Sequence, residues 1–162
     1  MIKAGIITVS DKGSAGLRND RSGPEVERLL DTIGIETARC ALVPDEISQI
    51  RDILLHFADQ VKLDLIVTTG GTGVSPRDVT PEATLGVIDR EIPGMAEAMR
   101  RESFKITPHA MISRAVVGIR GRTLIVNLPG SPKGVRENLD VLLPSLPHAV
   151  EKIRGDEREC AA

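Results

Sequence analysis

The chain has 162 residues, 41% of them hydrophobic, and sets 21 Lys and Arg against 23 Asp and Glu for a formal net charge of -2. That length and apolar share suit one domain with its own core, and the near-neutral balance lacks the positive field by which proteins hold a nucleic-acid backbone. Only Phe57 and Phe104 are aromatic, which removes the stacking platforms of single-strand binders, and two cysteines, Cys40 and Cys160, are too few for a disulfide framework or a zinc site.

Residues 1–5 lead straight into a strand, without the charged-then-apolar pattern of a signal segment. No apolar run approaches the roughly 20 residues of a membrane-spanning helix, so a cytoplasmic protein without membrane contact is expected. Ile6, Ile7 and Val9 read as a strand buried on both faces, ending at Ser10-Asp11 in a polar loop. Ser22-Gly23-Pro24-Glu25 has capping-box spacing, and Val26, Leu29, Leu30 and Ile33 behind it mark one face of a helix that Gly34 closes. A second strand covers 35–43, where the alternation of Ala38, Cys40 and Leu42 predicts Cys40 as a buried free thiol. After the turn Pro44-Asp45-Glu46, the spacing of Ile47, Ile50, Leu54, Phe57, Ala58 and Val61 predicts a second amphipathic helix.

The third strand, 63–69, empties into a loop containing Gly70, Gly71 and Gly73, and Thr80 with Pro81 signals the next helix start. Ile92-Pro93-Gly94 breaks the chain, 95–104 reads as helix, and 116–119 with 124–128 flank Arg120-Gly121-Arg122 as a hairpin. Ser131 as N-cap and Pro132 at the first helical position open a helix through Val135, Leu139, Leu142 and Leu143, and one more helix covers 145–153. Residues 1–155 form the expected domain, and 156–162 a charged tail expected to be disordered. Strands alternating with helices predict an α/β fold of three layers, a mostly parallel sheet with helices on both faces and a small antiparallel hairpin element.

In such sheets ligands bind off the carboxyl ends of the strands, and every polar loop above follows a strand. Gly70, Gly71 and Gly73 bare their backbone amides for an anion, while Asp45 and Asp78 offer carboxylates for a cation and Arg77 a guanidinium for a phosphate. Two glycine-containing loops with separate aspartates describe a site for a multiply charged phosphate ligand with a divalent metal, Mg²⁺ by preference. No P-loop sequence occurs, and Pro76 stands where a dinucleotide fingerprint needs its third glycine, which excludes both familiar phosphate loops. Each signal has a plainer rival. Gly-Gly-x-Gly can be a tight turn, Asp45 a helix N-cap, and Arg77, Asp20, Arg21 and Lys133 solvated side chains. His56, His109 and His148 share no metal or nucleophile spacing.

The wording of the loops goes further. The run Thr68 to Thr84, with Gly70-Gly71-Thr72-Gly73 and Arg77-Asp78-Val79-Thr80-Pro81, stands with Val43-Pro44-Asp45-Glu46 and Asn127-Leu128-Pro129-Gly130-Ser131-Pro132. Together with Thr8-Val9-Ser10-Asp11 and Asp20-Arg21-Ser22-Gly23-Pro24, these segments closely resemble the molybdopterin adenylyltransferases, from the first strand to about residue 155. The resemblance implies Mg²⁺-dependent transfer of AMP from ATP to the terminal phosphate of molybdopterin, with release of pyrophosphate, in molybdenum cofactor biosynthesis. It places the two essential aspartates, as catalytic and metal-holding groups, at Asp45 and Asp78. It also gives substrate and phosphate contacts to Ser10, Asp11, Ser22, Gly23, Thr69, Gly70, Gly71, Thr72, Gly73, Arg77, Pro129, Gly130, Ser131 and Pro132. A homotrimer and a downstream molybdenum-insertion protein follow from the same likeness. Two other readings stay open: a non-catalytic molybdopterin carrier or sensor, and a tungsten-cofactor counterpart.

Overall fold

The computed structural model describes residues 1–158. In chain order the elements are β1 (Lys3–Val9), α1 (Asp11–Ser14), α2 (Ser22–Asp31), β2 (Glu36–Val43) and α3 (Ile47–Leu55), which continues through a π turn, His56–Gln60. Then come β3 (Leu65–Thr69), α4 (Thr80–Leu85), β4 (Arg90–Glu91), α5 (Pro93–Phe104), a 3-10 turn (Pro108–Ile112), β5 (Val117–Arg120), β6 (Thr123–Leu128), α6 (Pro132–Leu142) and α7 (Leu146–Ile153).

The six strands form one sheet in the order β2-β1-β3-β6-β5-β4. β2, β1, β3 and β6 run parallel, and the β5–β6 hairpin and β4 add the antiparallel part. The side-chain period of two in these strands sends alternate residues to opposite faces. Ala4, Ile6, Leu65, Val67, Leu124 and Val126 meet α2, α5, α6 and α7 on one face, while Ile7, Val9, Ile66 and Ile125 meet α3, the π turn and α4 on the other. Three layers with helices on both sides are therefore as expected.

Register decides where the loops go. Thr8 lies opposite Thr69, Val9 opposite Val43, and Thr69 opposite Leu128, so all four parallel strands stop at the same level. The segments after them must converge on one edge, and they do.

Several local expectations change. Ser22 lies inside α2 and caps nothing. The Asp20 carboxylate instead accepts from the amides of Ser22 and Gly23 at 3.1 and 3.0 Å, because an aspartate two residues earlier reaches the same free amides. Thr80 likewise begins α4 as its first residue, preceded by Val79, and its hydroxyl donates to Gly70 O at 2.9 Å. Cys40 is a free thiol but exposed. It sits on β2, an edge strand paired only with β1, where the helical cover is partial and Leu42 is also exposed. The Arg90–Glu91 strand and the 3-10 turn carry no apolar periodicity and have no counterpart among the elements expected from the sequence. The tail expected at 156–162 falls partly outside the described residues, as does Cys160. Within the described part, Arg158 pairs with Asp156 and Glu151.

One buried polar residue ties the site-bearing strands together. Asn127 is fully buried on β6. Its amide donates to the hydroxyls of Thr68 on β3 and Thr84 on α4, both at 3.0 Å, and its oxygen accepts from the Val116 amide at 3.1 Å. Truncation leaves the buried Thr68 and Thr84 hydroxyls and the part-buried Val116 amide without their partner, and each buried group so orphaned costs about 1–3 kcal/mol. Asn127→Ala should therefore lower the unfolding free energy in urea by at least about 3 kcal/mol. A loss under about 1 kcal/mol would show that this network does not hold the strand ends.

Candidate active site

The glycine loop is built by what its carbonyls do. Gly70 O accepts from the Thr80 hydroxyl and Gly71 O from the Thr80 amide, Thr72 O from the Arg114 amide, and Gly73 O from Arg114 Nε at 2.7 Å. Arg114 also donates to Asp78 O at 2.7 Å and pairs with Glu82. The amides of residues 71–74, by contrast, donate to nothing among the described residues, and neither do those of Gly130 and Ser131. With its carbonyls consumed and its amides bare, the loop presents the positive ends of its peptide dipoles, the arrangement that receives an anion.

Gly70 and Gly71 have φ of +103° and +66°, a region side chains rarely adopt. Space is equally short. A methyl on Gly71 would overlap the Thr80 hydroxyl and come within 3.0 Å of Asp45 Oδ1, and one on Gly130 would lie 3.2 Å from Gly70 Cα. Thr69 Oγ1 donates to Pro129 O at 2.6 Å, so the loops after β3 and β6 are clasped together.

The second loop ends as expected. Ser131 caps α6, its Oγ accepting from the Gly134 amide at 3.0 Å, with Pro132 in the first turn.

Asp45 does not cap α3, whose preceding residue, Glu46, makes no side-chain cap either. Its Oδ2 accepts from the Asp11 amide at 3.0 Å, and its own amide donates to Asp11 Oδ1 at the same distance. Burial pushes the Asp45 carboxyl above the usual carboxylate range; the Asp11 amide pulls it back, and the charges of Asp11 and Asp78 push it up again. Asp78 sits in a turn in which its Oδ2 accepts from the Ser75 amide at 3.0 Å and its amide donates to Ser75 O at 2.9 Å.

Two cavities open on this edge. The first, about 590 Å³, is lined by Gly71, Thr72, Gly73, Asp78 and Pro129, and reaches α5 and the 3-10 turn. The second, about 580 Å³, is lined by Ser10, Asp20, Ser22, Asp45, Thr69, Gly70 and Pro132. They share Gly71, Asp78, Gly130 and Ser131.

Three of the expected contacts stand outside both walls. Arg77 holds Asp11 through two 3.0 Å bonds and Glu46 at 2.8 Å, and this guanidinium holds the Asp11 carboxyl below its ordinary range. Gly23 packs on Asp20 and Thr8.

The structure adds groups that the chain alone hides. Arg114 is the strut of the glycine loop although it lies 41 residues from Gly73. Asp20, weighed in the sequence only as a possible contact, is the hub that accepts from Thr8 Oγ1 at 2.7 Å and from the start of α2. Arg100, Ser103 and Asn138 complete the first cavity. Nothing in local spacing marks these residues; only the closed sheet brings them to the loop.

The glycine geometry gives a matched test. Gly16 and Gly71 both have positive φ, of +75° and +66°, but Gly16 has nothing within 4 Å of an added methyl. Gly16→Ala should cost about 1 kcal/mol in urea unfolding, from backbone conformation alone, and Gly71→Ala at least about 2 kcal/mol. Equal costs would show that the Gly71 enclosure exerts no steric constraint.

Comparison with known proteins identifies the family. Residues 5–148 match a family model described as "Probable molybdopterin binding domain". The molybdopterin adenylyltransferase of Helicobacter pylori strain 26695 is 40% identical over 157 residues, covering 96% of this chain and 89% of that protein. Gephyrin of Dictyostelium discoideum is 45% identical over 162 residues, 93% of this chain but 22% of its own length, so the chain spans about a fifth of that relative. Among solved structures, the molybdopterin biosynthesis enzyme MoaB of Thermus thermophilus has 52% identity and a TM-score of 0.92, over 96% of this chain and 98% of that one. The tungsten cofactor synthesizing protein MoaB of Pyrococcus furiosus has 34% identity and a TM-score of 0.86, over 95% and 98%. With the family model matched across nearly the whole sheet and both strand-end loops, the chain belongs to the molybdopterin-binding domain family.

Proposed function

We propose that this chain is a molybdopterin adenylyltransferase. The terminal phosphate of molybdopterin attacks the α-phosphorus of ATP, and a new oxygen–phosphorus bond forms there. The bond to the oxygen bridging the α- and β-phosphates breaks, and pyrophosphate leaves with that electron pair. The observation that carries this reading is the pair of adjoining cavities with a common wall at Gly71, Asp78, Gly130 and Ser131. Transfer between two substrates needs each held on its own side with the reacting phosphates at the junction, and positioning of that kind supplies much of the catalysis in phosphoryl and nucleotidyl transfer.

In this reading the bare amides of residues 71–74 and of Gly130 and Ser131 take phosphate oxygens, while Ser10, Ser22, Thr69 and Pro132 shape the second cavity. The clamp of Arg77 on Asp11 and Glu46 orients Asp11, and through it Asp45.

Asp45 and Asp78 fit a magnesium ion. No group of three or more His, Cys, Asp or Glu is placed to hold a metal ion among the described residues, so they build no cage of their own. Mg²⁺ is characteristically held by one or two carboxylates plus substrate phosphates. Each of the two spends one oxygen on a backbone amide, and burial and like charge raise Asp45, a condition that a cation relieves. When bound, the ion neutralises charge developing on the phosphate oxygens.

The relative from Pyrococcus furiosus favours a second destination for the same product, a tungsten pathway. Adenylylation comes before metal insertion, so the chemistry at these residues is the same, and the product passes in either case to an insertion protein. The reaction suits the cytoplasm, where ATP is supplied, and no helix among the described residues is long and apolar enough to cross a membrane. Phe104, Ile106, Met111 and Ile112 are exposed on one stretch of chain, the kind of apolar surface that contacts between copies cover, which supports association, and the likeness to the family makes the expected assembly a homotrimer.

With molybdopterin and MgATP the purified chain should release pyrophosphate, and chelation should stop it until Mg²⁺ is returned. Molybdopterin binding without pyrophosphate would make the protein a carrier instead. Asp78→Asn and Asp45→Asn keep an oxygen for the Ser75 and Asp11 amides but lose the charge. Each should slow turnover by about 10²–10³ or more, with the double variant little slower than either single, because groups acting on one ion are not additive. Near-normal turnover by Asp78→Asn would remove the proposed metal role. Light scattering at micromolar concentration should give three times the chain mass, and a monomer would refute the trimer.

A further inference from the structure

Two residues hold the glycine loop, each one half of it. Thr80 takes the first half, through Gly70 O at 2.9 Å and Gly71 O at 3.2 Å. Arg114 takes the second. Its amide donates to Thr72 O at 2.8 Å, and its guanidinium reaches both ends of the segment 73–78, Gly73 O through Nε and Asp78 O through Nη2, each at 2.7 Å. Between those ends residues 74–77 are exposed, and the bonds inside the segment are the two that join Ser75 to Asp78.

The plainer role for Arg114 is a surface ion pair with Glu82, the two side chains being 36% and 46% exposed. Pairs of that exposure fix little. The carbonyl bonds are of another kind, because three nitrogens of one planar group serve three separate acceptors: Gly73 O, Asp78 O and, through Nη1, the Glu82 carboxylate, which the guanidinium holds below its ordinary range. An ammonium is a compact point donor and does not match so wide a set. What the fork encloses is Asp78. Its carbonyl is held by Nη2, its Oδ2 is spent on the Ser75 amide, and a methyl on Gly73 would come within 2.8 Å of that oxygen. Its Oδ1 accepts nothing from the described residues, and the residue lines both cavities.

We propose that Arg114 is the positioning residue for Asp78: by joining Gly73 O to Asp78 O, its guanidinium fixes the Asp78 carboxylate on the wall between the cavities in the orientation that turnover requires. Ground-state binding of phosphate rests chiefly elsewhere, on the amides of Gly71 and Thr72 in the half held by Thr80 and on those of Gly130 and Ser131. The proposal rests on the adenylyltransferase reading for the reaction that Asp78 serves. It separates the two halves of one loop by function, the first for holding phosphate and the second for placing the carboxylate against it.

The test compares the full chain with Arg114→Lys, which keeps the charge and loses the fork, and with Arg114→Ala with and without millimolar guanidinium. Amide exchange is followed by NMR without ligand, and kcat and KM are measured with molybdopterin and MgATP. Both variants should fold and leave exchange at Gly70 as it was, while the Ser75 and Asp78 amides exchange about 10-fold or more faster, as in a segment freed to open locally. In both, kcat should fall about 10²-fold, the size of a small misplacement of a reacting group, with KM for either substrate within about 3-fold. Guanidinium should restore protection and part of kcat to Arg114→Ala and do nothing for Arg114→Lys. Near-normal kcat in Arg114→Lys would show that charge suffices, and KM rising in step with the fall in kcat would show collapse of the whole wall. Either result overturns the proposal, as do unchanged exchange at Ser75 and Asp78, absence of guanidinium rescue, or a variant that does not fold. Failure of the enzyme reading is a separate outcome: wild-type protein that releases no pyrophosphate loses the adenylylation step, while exchange at Ser75 and Asp78 still decides whether the fork holds the segment.

Discussion

In the loop after β3, the carbonyls of Gly70, Gly71, Thr72 and Gly73 all accept hydrogen bonds from Thr80 or Arg114, while the amides of residues 71–74 donate none to the described residues. Segments without regular structure normally satisfy both kinds of group at random with water and side chains. Here the division is one-sided, and its cause is two residues that mostly donate. Thr80 offers a hydroxyl and an amide from the start of α4, and Arg114 offers its amide and guanidinium from the approach to β5. Guanidinium has donors only. A loop held by such partners must turn its carbonyls inward and its amides out, which gives it a positive face without any free cation.

The second constraint is closeness. Gly70 donates its amide to Leu128 O at 3.0 Å and packs on Gly130, and Thr69 Oγ1 bonds Pro129 O, so the β3 and β6 loops behave as one wall with a cavity on each side. The charged groups above it are held more loosely. Arg77 and Asp11 have side chains 55% and 42% exposed, and ion pairs of such exposure contribute about 0–1 kcal/mol. The clamp thus orients Asp11 and Asp45 at little energetic depth. Backbone geometry is the rigid part of this site and the arginine the adaptable one.

Much of this was legible because buried parallel strands read as apolar runs and because glycine, proline and aspartate at strand ends carry a local conformational meaning. The strands ending at Val43, Thr69 and Leu128, the Ser131 cap and the hairpin at Gly121 all follow from residues adjacent in sequence. What escaped depends on who else arrives. Ser22 and Thr80 have the sequence of caps, but Asp20 reached the α2 amides first and the Thr80 hydroxyl found a carbonyl in the glycine loop. Cys40 has the alternation of a buried residue, yet sits on an edge that only one neighbouring strand covers. Arg114 has no local signature at all, since its role exists only once the chain before β5 has been brought beside the glycine loop.

The two sides of the wall also differ in kind, and this bears on how one chain handles two substrates that both carry phosphate. The second cavity has Arg18, Arg21, Asp20 and Asp45 on its walls, whereas the α5 end of the first cavity offers mainly uncharged hydrogen-bonding groups, with Arg100 turned to the Ala115 carbonyl. If both cavities recognised phosphate alone, either substrate would occupy either side, and the reacting groups would meet only by chance. Unlike walls remove that degeneracy, because a site built to hydrogen-bond a specific edge rejects a ligand that cannot complete those bonds. If the glycine wall takes phosphate from either substrate, as proposed, orientation has to be settled farther out, where the ligands differ.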